Sequence, residues 1–401
     1  MTLKRRKNLR VLNGYKGAID KKIENITSRF KVNKLYMKNA LKAVAVFGGI
    51  IVICLVAYLQ VYTKSTTIET YHITGAADNN YEQFAEGVLK YSRDGISYLN
   101  NEGDEYWNLP YQIKTPFIEI NGGTAAVADK GGNNILVFQE QGLKGEVQTV
   151  LPIEKIAVSQ QGIICAILKN ESTPQIICYD AAGNVLVEHK ASLAGMGYPM
   201  DVALSADGET LQVLYLQTDG GEMVSKVVYY DFGEDGENKT DHQIVTKEYE
   251  NTILATGFYL NEKTSVVIGD NCFSIFKTGN TVEEVVTINL DKEIQSVCHN
   301  EKYIALALQN KGTGGCELRI YNTSGKQVTS EMFDGSYRNM KMVDKQVIMY
   351  DGKTCCIFLK NGLKRFDGEM GNTIMEIIPM SGMNKYIVMT ANGMEYVRLA
   401  K

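Results

Sequence analysis

From residue 63 onward, short apolar runs alternate with polar turns, and one unit returns at a nearly constant interval. In each unit an apolar run reaches an aromatic residue and then breaks into a turn rich in Gly, Asn or Asp. The aromatic positions are Tyr98, Phe138, Tyr179, Tyr230, Phe276, Tyr321, Phe358 and Tyr396, separated by 40, 41, 51, 46, 45, 37 and 38 residues. About 40 residues accommodate four short strands and their turns, which is one blade of a β-propeller. The pattern predicts an all-β, eight-bladed β-propeller, with seven blades as the alternative.

Two other kinds of strand precede most of the aromatic runs. An inner strand has apolar residues at alternating positions, as in residues 153–158 and 340–342. A second strand, such as residues 162–168 or 303–308, is almost continuously apolar. Continuous apolar strands are typical of sheets covered on both faces, as stacked blades are. Gly, Asn and Asp in the following turn indicate hairpins.

The last unit stops at its third strand, since the sequence ends at Lys401. A blade of three strands exposes a sheet edge, which proteins usually cover. Residues 66–73 are rich in β-branched and aromatic residues and have no other obvious partner. We therefore predict that they supply the outer strand of the last blade, so that the ring closes within a few residues of Tyr62.

The stretch Ala43–Tyr62 contains no charged residue and is bracketed by Lys42 and Lys64. Twenty helical residues rise about 30 Å, the thickness of the hydrocarbon core of a bilayer. We therefore predict a transmembrane helix over residues 43–62, in contact with the lipid bilayer. The stretch is longer than the apolar part of a cleaved signal peptide, and no small-x-small site follows it.

Charge is distributed unevenly on the two sides of this stretch. Residues 1–42 contain thirteen Lys and Arg against Asp20 and Glu24, a balance of +11. The rest of the chain has a balance of −15, which the whole-chain value of −4 conceals. Because basic flanks stay on the cytoplasmic side, we predict a single-pass protein of the cell membrane. Residues 1–42 form its basic cytoplasmic tail, and residues 63–401 form its extracytoplasmic propeller.

The units at residues 176–190 and 318–333 resemble the outer hairpin of quinoprotein-like and WD-repeat-like propellers. In both, an apolar–aromatic strand leads through Asp or Asn and then Gly into an edge strand. From residue 43 onward, the chain resembles an uncharacterised family of single-pass, membrane-anchored propeller proteins of Gram-positive, chiefly clostridial, bacteria. The resemblance implies an extracytoplasmic location and no known activity. Two features depart from better-known relatives: Trp107 is the sole tryptophan, whereas quinone-cofactor propellers carry one in nearly every blade, and the Gly-His and Trp-Asp signatures of the WD class are absent.

Residues that carry chemistry are sparse. Seven of the eight cysteines follow the apolar stretch, an odd number with no CxxC pair. Cys165 and Cys178 fall on neighbouring strands of one blade, where they are either bonded to each other or buried as small hydrophobic thiols. The four histidines are scattered over different repeats, and GxSxG and SxxK motifs are absent. We predict no catalytic residue, no metal site and no cofactor.

One acidic segment and one group of aromatic residues each allow two interpretations. The insert Asp231–Asp241 is acidic and is interpreted as a solvated hairpin extension, with binding of a cation or a basic partner as the alternative. Aromatic residues cluster early in the propeller, where Tyr106, Trp107 and Tyr111 are candidates for stacking on the sugar rings of a ligand. Packing inside the blades is the alternative for these three residues.

The function favoured by the sequence is a membrane-anchored extracytoplasmic module that binds or scaffolds a protein or a cell-wall glycan. No catalytic motif supports an enzyme, and no nucleic-acid partner is expected. The alternatives are a hydrolase or quinone-dependent propeller enzyme, with carboxylates gathered in the central channel, and a transmembrane sensor.

Overall fold

The computed structural model describes residues 21–22, 24–25, 28, 37–52, 55–56, 58–74, 76–170, 173–190, 195–219, 221–233, 236–279, 281–310, 314–382 and 384–401. The chain forms two compact units, Met1–Gln60 and Val61–Lys401. In the first unit, residues 37–52, 55–56 and 58 are helical. The tail predicted for residues 1–42 lies largely outside the described residues.

The transmembrane helix predicted for Ala43–Tyr62 is not supported. Within the described ranges, no helix combines the length and the apolar content needed to cross a membrane. The end of the predicted segment belongs to the second unit, since the N–H of Tyr62 donates to the carbonyl of Arg365 at 3.0 Å. The carbonyl of Tyr62 in turn accepts from the N–H of Asp367 at 3.1 Å. The second unit thus begins at Val61, two residues before the predicted boundary.

The second unit consists of eight four-stranded antiparallel sheets. The first strands of the sheets are β2 (Asn80–Phe84), β6 (Pro116–Asn121), β10 (Ile153–Val158), β14 (Tyr198–Leu204), β18 (Leu254–Asn261), β22 (Glu293–His299), β26 (Asn339–Val343) and β30 (Glu376–Pro379). The second strands are β3 (Gly87–Tyr91), β7 (Thr124–Asp129), β11 (Ile164–Leu168), β15 (Thr210–Asp219), β19 (Thr264–Gly269), β23 (Tyr303–Gln309), β27 (Gln346–Asp351) and β31 (Lys385–Thr390).

The outer half of each sheet completes the blade. The third strands are β4 (Gly95–Leu99), β8 (Asn134–Gln139), β12 (Gln175–Tyr179), β16 (Glu222–Asp231), β20 (Cys272–Lys277), β24 (Cys316–Asn322), β28 (Thr354–Leu359) and β32 (Gly393–Ala400). The fourth strands are β5 (Glu105–Pro110), β9 (Gly142–Gln148), β13 (Val185–Lys190), β17 (Gln243–Glu250), β21 (Glu283–Asn289), β25 (Gln327–Phe333), β29 (Lys364–Glu369) and β1 (Lys64–Tyr71). Short 3-10 turns occupy Ala76–Asp78 and Thr240–His242.

The sheets are the blades of a propeller. First strands of successive sheets contact one another, as β10 does with β14, β14 with β18, and β30 with β2, so they surround a central channel. Numbered from β2, blades 1 to 7 each use four consecutive strands, and blade 8 has the order β1-β32-β31-β30. The prediction of eight blades is confirmed, and the alternative of seven is wrong.

Blade 8 closes the ring by joining the two ends of the unit. β1 pairs antiparallel with β32, in a register that runs from Lys64 opposite Ala400 to Tyr71 opposite Met394. The carbonyl of Ala400 also accepts from the N–H of Thr63 at 3.1 Å. This pairing confirms the prediction that the segment before blade 1 supplies the missing outer strand, although the strand is Lys64–Tyr71, two residues earlier than the predicted 66–73.

All eight predicted aromatic residues lie on third strands, next to a β-bulge of the fourth strand. Tyr179, for example, pairs with Val185 while its neighbour Cys178 pairs with Val187, which leaves Leu186 as the extra residue. A bulge bends its strand and redirects one side chain. The bulge residue is consequently an exposed apolar side chain in five blades: Ile68, Tyr106, Leu186, Val285 and Val328.

Apolar clusters between neighbouring blades form the core. One cluster joins Ile135 and Val137 of blade 2 to Ile156 and Ile164 of blade 3. Burying both faces of the middle strands accounts for their continuous apolar sequence.

Of the two alternatives for Cys165 and Cys178, the structure has the bonded one. The two residues lie directly opposite each other on β11 and β12 and are joined by a disulfide bond. Among the described residues, the free cysteines are Cys272, Cys298, Cys355 and Cys356, which are buried, and Cys316, which is half-buried.

Strand direction defines two faces of the propeller. First and third strands run the same way, so the turns after them share one face. The chain enters at that face too, because Lys64 at the start of β1 pairs with Ala400 at the end of β32. We call this the proximal face and the opposite one the distal face.

Candidate functional site in the central channel

Polar side chains from the first strands meet in the central channel. A cavity of about 910 Å³ occupies the channel and is bordered by proximal-face turn residues such as Gly122, Gln160 and Glu301. We call the polar set the channel ring; its members are Glu82, Glu119, Lys155, Asp201, Thr256, Lys341 and Glu376. The ring contains four carboxyl groups and two lysines, so its ionised form is short of positive charge.

β-Bulges in the first strands help to place these residues. The register of β10 shifts between Ile153 and Lys155, and that of β14 shifts between Pro199 and Asp201. A third shift precedes Thr256 on β18. Each bulge adds one residue and so changes which side chains face the channel.

Asp201 ties three blades together. It is 8% exposed, and its Oδ2 accepts hydrogen bonds from the hydroxyl of Thr256 at 2.8 Å and the N–H of Gly257 at 3.1 Å. The Nζ of Lys155 lies 3.5 Å from its Oδ1. Both oxygens of this carboxylate therefore have partners, and Lys155 has its counter-ion.

Glu376 pairs with Lys341, the second lysine of the ring. It is 4% exposed and forms an ion pair with Lys341 of blade 7. Its Oε2 also accepts a hydrogen bond from the hydroxyl of Tyr350 at 2.9 Å. This buried pair joins blades 7 and 8 across the channel wall.

Glu82 and Glu119, on blades 1 and 2, are the two carboxyl groups that remain. In the described part of the chain neither makes a hydrogen bond or an ion pair. Glu119 lies on the open surface of the channel, yet the channel walls surround it and leave it less solvated than a residue on the outer surface.

The environment of these two groups disfavours their charged forms. Desolvation raises the pKa of Glu119 to about 7; the carboxylate of Asp201 adds to that effect, and Lys155 offsets part of it. Desolvation also raises the pKa of Glu82 to about 7; the carboxylate of Glu376 adds to that effect, and Lys341 offsets part of it. A positive charge placed between them would relieve both effects.

Histidine supplies no such charge at neutral pH. The ring of His299 stacks on Phe258, with ring centroids 3.9 Å apart and an angle of 4° between the planes. Burial lowers the pKa of His299 to about 4, so its imidazole is neutral at pH 7. Among the described residues, no group of three or more His, Cys, Asp or Glu side chains is arranged to hold a metal ion.

The three residues predicted to stack on sugar lie elsewhere, at the outer edge of blade 1 and in the loop that follows. The Trp107 ring stacks on Phe138 of blade 2, with centroids 5.4 Å apart, and its Nε1 donates to the carbonyl of Glu140 at 2.9 Å. Tyr111 packs into the same core cluster, whereas Tyr106 is 66% exposed. The structure therefore does not gather the three rings on one exposed surface.

The acidic insert extends the turn between β16 and β17. Asp231 is 6% exposed, and its Oδ1 accepts hydrogen bonds from the N–H groups of Gly233 and Gly236 at 2.9 and 3.2 Å. At this residue, the insert has the internal bonding of a hairpin extension.

Sequence reasoning missed the members of the channel ring. The only carboxylates it named as candidates were those of the insert Asp231–Asp241, whereas Glu82, Glu119 and Asp201 lie within first strands. An acid in the middle of an otherwise apolar strand, as in the PFIEIN sequence of β6, was the available signal. Such a position costs stability unless the channel or a partner supports the charge.

The comparisons agree with the fold. The family described as "Family of unknown function (DUF5711)" matches residues 58–399. No curated protein matches the chain.

Among solved structures, BamB from Moraxella catarrhalis is 12% identical, covers 84% of this chain and 99% of its own, and has a TM-score of 0.50. Sqt1 from Saccharomyces cerevisiae is 13% identical and covers 85% of this chain and 100% of its own, with a TM-score of 0.52. Apo AztD from Citrobacter koseri is 11% identical and covers 74% of this chain and 87% of its own, with a TM-score of 0.52. At these identities the similarity concerns the fold alone.

Proposed function

This chain belongs to the DUF5711 family, a family of unknown function, and we propose that it is a membrane-anchored, extracytoplasmic module that binds a protein partner. The partner places a cationic segment in the channel, next to Glu82 and Glu119. The observation that carries this proposal is the charge balance of the channel ring. Lys155 and Lys341 each form an ion pair with another carboxylate, and among the described residues neither Glu82 nor Glu119 forms an ion pair of its own.

The channel favours a cationic side chain over a bare metal ion. Its cavity of about 910 Å³ is much larger than an ion requires, and it is bordered by turns that a partner can reach. Lys and Arg bring both a charge and several donors, and a charge-assisted hydrogen bond is about twice as strong as a neutral one. A protein segment carrying either residue therefore meets the requirements of both carboxylates.

The aromatic residues support a protein partner over a glycan. Sugar recognition commonly uses an aromatic ring with a free face, but Trp107 is already packed on Phe138 and bonded to the carbonyl of Glu140. Tyr106 alone offers an exposed ring among the three candidates.

The membrane anchor is proposed from the sequence. The support is the uncharged stretch from Ala43 and the basic residues that precede it, which are typical of a segment with its N-terminus in the cytoplasm. The propeller would then lie outside the cell.

A hydrolase is the second candidate, because carboxyl groups with a pKa near 7 in a channel are typical of acid–base sites. Such an enzyme would also need an ionised carboxylate with an unoccupied oxygen. Asp201 and Glu376 are instead held by neighbouring side chains and a backbone N–H. The arrangement therefore supports binding better than catalysis.

A tetra-lysine peptide tests the proposal. We expect the full-length protein in detergent to bind the labelled peptide saturably, as measured by fluorescence anisotropy at neutral pH. The Glu82→Gln/Glu119→Gln variant should bind at least about tenfold more weakly, because buried charge pairs contribute roughly 1.5 kcal/mol or more.

The matched control is Glu262→Gln/Glu301→Gln, which removes two exposed acids from turns at the cavity border. This variant makes the same Glu-to-Gln substitution at two acids and should bind nearly as the unmodified protein does. Equal weakening in both variants, or no saturable binding at all, would contradict the proposal.

A further inference from the structure

Charge on the proximal face is divided between two halves of the ring. In blades 5 to 8, lysines occupy the outer-hairpin turns, the ends of the adjoining strands, and the point where the chain enters. We call this set the basic crescent; it consists of Lys64, Lys277, Lys326, Lys360, Lys364 and Lys401. In blades 1 to 4 the corresponding turns carry an excess of acids: Glu102, Asp104, Glu140, Asp180, Glu237 and Asp241 are present against Lys239.

Most cations of the crescent form no ion pair among the described residues, although Lys277 lies opposite Glu283 where β20 pairs with β21. Of its members, only Lys364 forms an ion pair among the described residues, with Asp367 at 2.7 Å. Lys360 donates to the hydroxyl of Tyr303 and lies over that ring, 4.6 Å from its centroid. Lys277 and Lys326 are exposed to solvent.

Several cations on the distal face of the same blades have carboxylate partners, although Lys353 donates to a backbone carbonyl instead. Arg319 pairs with Asp291 at 2.7 Å, and Arg338 lies 3.4 Å from Asp351. Lys292 is paired with Glu317. The excess of positive charge thus belongs to one face, although the chain beyond residue 42 is acidic overall.

From this division we infer that the basic crescent docks on the surface of an anionic lipid bilayer. The inference rests on the membrane anchor proposed above. The crescent spans four successive blades at the rim of one face, so it matches an extended plane of negative charge better than a compact anion. The chain enters the propeller within the crescent, since Tyr62 is bonded to β29 of blade 7 and Lys64 pairs in blade 8.

The acidic turns of blades 1 to 4 affect how the channel is oriented when the crescent docks. Anionic lipid attracts the crescent and repels the acidic turns of blades 1 to 4, over distances limited to about 10 Å by salt. The propeller therefore tilts, with blades 5 to 8 near the bilayer and blades 1 to 4 raised. A tilted propeller leaves the mouth of the cavity open to a partner instead of sealing it against the lipid.

Lysine footprinting of the full-length protein in nanodiscs tests this inference. We compare phosphatidylcholine discs with discs that also contain phosphatidylglycerol, and measure amine acetylation at each lysine by mass spectrometry. Labelling of Lys277 and Lys326 should slow by about fivefold in the anionic discs. The effect should disappear at high salt. Lys130 and Lys353, on distal-face turns, should be labelled equally in both kinds of disc.

Two charge-reversal variants supply the control. Lys277→Glu/Lys326→Glu should lose the lipid-dependent difference at the remaining crescent lysines, whereas Lys130→Glu/Lys353→Glu, with the same net charge, should keep it. Equal labelling of the crescent in both discs would overturn the inference while leaving the anchor intact. So would protection of the crescent by free polyglutamate with no effect of anionic lipid.

Co-purification of the protein with the discs tests the two hypotheses separately. If the protein co-purifies with phosphatidylcholine discs, the membrane anchor is supported. If it co-purifies only with anionic discs and the crescent lysines are protected, docking of the crescent is supported and the anchor is contradicted. If it co-purifies with neither kind of disc, both hypotheses are overturned.

Discussion

Removal of β1 is expected to lower the unfolding temperature of the propeller by about 10 °C and to broaden its transition. β1 makes seven registered residue pairs with β32, and each backbone hydrogen bond of such a ladder contributes roughly 1 kcal/mol. Its loss also exposes the edge of β32 and releases the join between the two ends of the unit. The measurement is thermal unfolding, followed by circular dichroism, of a chain that begins at His72.

The control for this truncation is a chain that begins at Val61. It lacks the first unit but keeps β1 and the bonds of Tyr62 and Thr63 to blades 7 and 8. We expect its transition to match that of the full-length propeller. If the two truncated chains unfold at the same temperature, β1 does not close the ring.

Glu376→Leu is expected to destabilise the propeller by about 3 kcal/mol. Glu376 is buried, pairs with Lys341 and accepts a hydrogen bond from the hydroxyl of Tyr350. The substitution therefore leaves the half-buried ammonium group of Lys341 and the hydroxyl donor of Tyr350 without this partner. Breaking a buried ion pair by removing one partner typically costs roughly 3–5 kcal/mol. Glu82 lies near Lys341 and compensates part of the loss, which places the expectation at the lower end. Urea denaturation at neutral pH measures the change.

A double variant separates the ion pair from simple packing. Lys341→Met/Glu376→Leu removes both charges, and replacing a buried pair by apolar residues is often neutral or stabilising. We therefore expect it to recover most of the stability lost in Glu376→Leu. If it is the less stable of the two variants, the stability of blade 8 depends on Lys341 in some other way.

The repeat could be predicted because residues close together in the sequence define it. Each blade has an aromatic residue on its third strand, a continuous apolar second strand, and a turn rich in Gly, Asn or Asp, and these features need no knowledge of distant contacts. The closing strand was predictable for the same reason, since residues 66–73 are rich in β-branched and aromatic residues and the last repeat supplies only three of the four strands of blade 8.

The channel ring was harder to predict because bulges displace it. A strand with strict alternation would show which residues face the channel, but one extra residue before Lys155, Asp201 and Thr256 reverses that assignment. Whether a carboxylate has a counter-ion also depends on neighbouring blades. Asp201 is paired with a lysine of the preceding blade, whereas Glu119 is not, and no local sequence feature distinguishes them.

The Trp107 ring illustrates a second limit. The aromatic residues near Trp107 in the sequence suggest a surface on which a sugar could stack. The sequence does not show that Phe138 of the next blade packs against the Trp107 ring. The hypothesis of sugar stacking stays a prediction, with Tyr106 as the ring that is exposed.

The most direct test of the account is proton release on binding of the tetra-lysine peptide. A cation beside Glu82 and Glu119 favours their ionised forms and lowers their pKa from about 7, so binding at pH 7 should release about one proton. Affinity should accordingly rise as the pH increases through 7. Isothermal titration calorimetry in two buffers of different ionisation enthalpy measures the release. The account predicts a release that is absent from Glu82→Gln/Glu119→Gln; binding without proton release, or a release that persists in that variant, would contradict it.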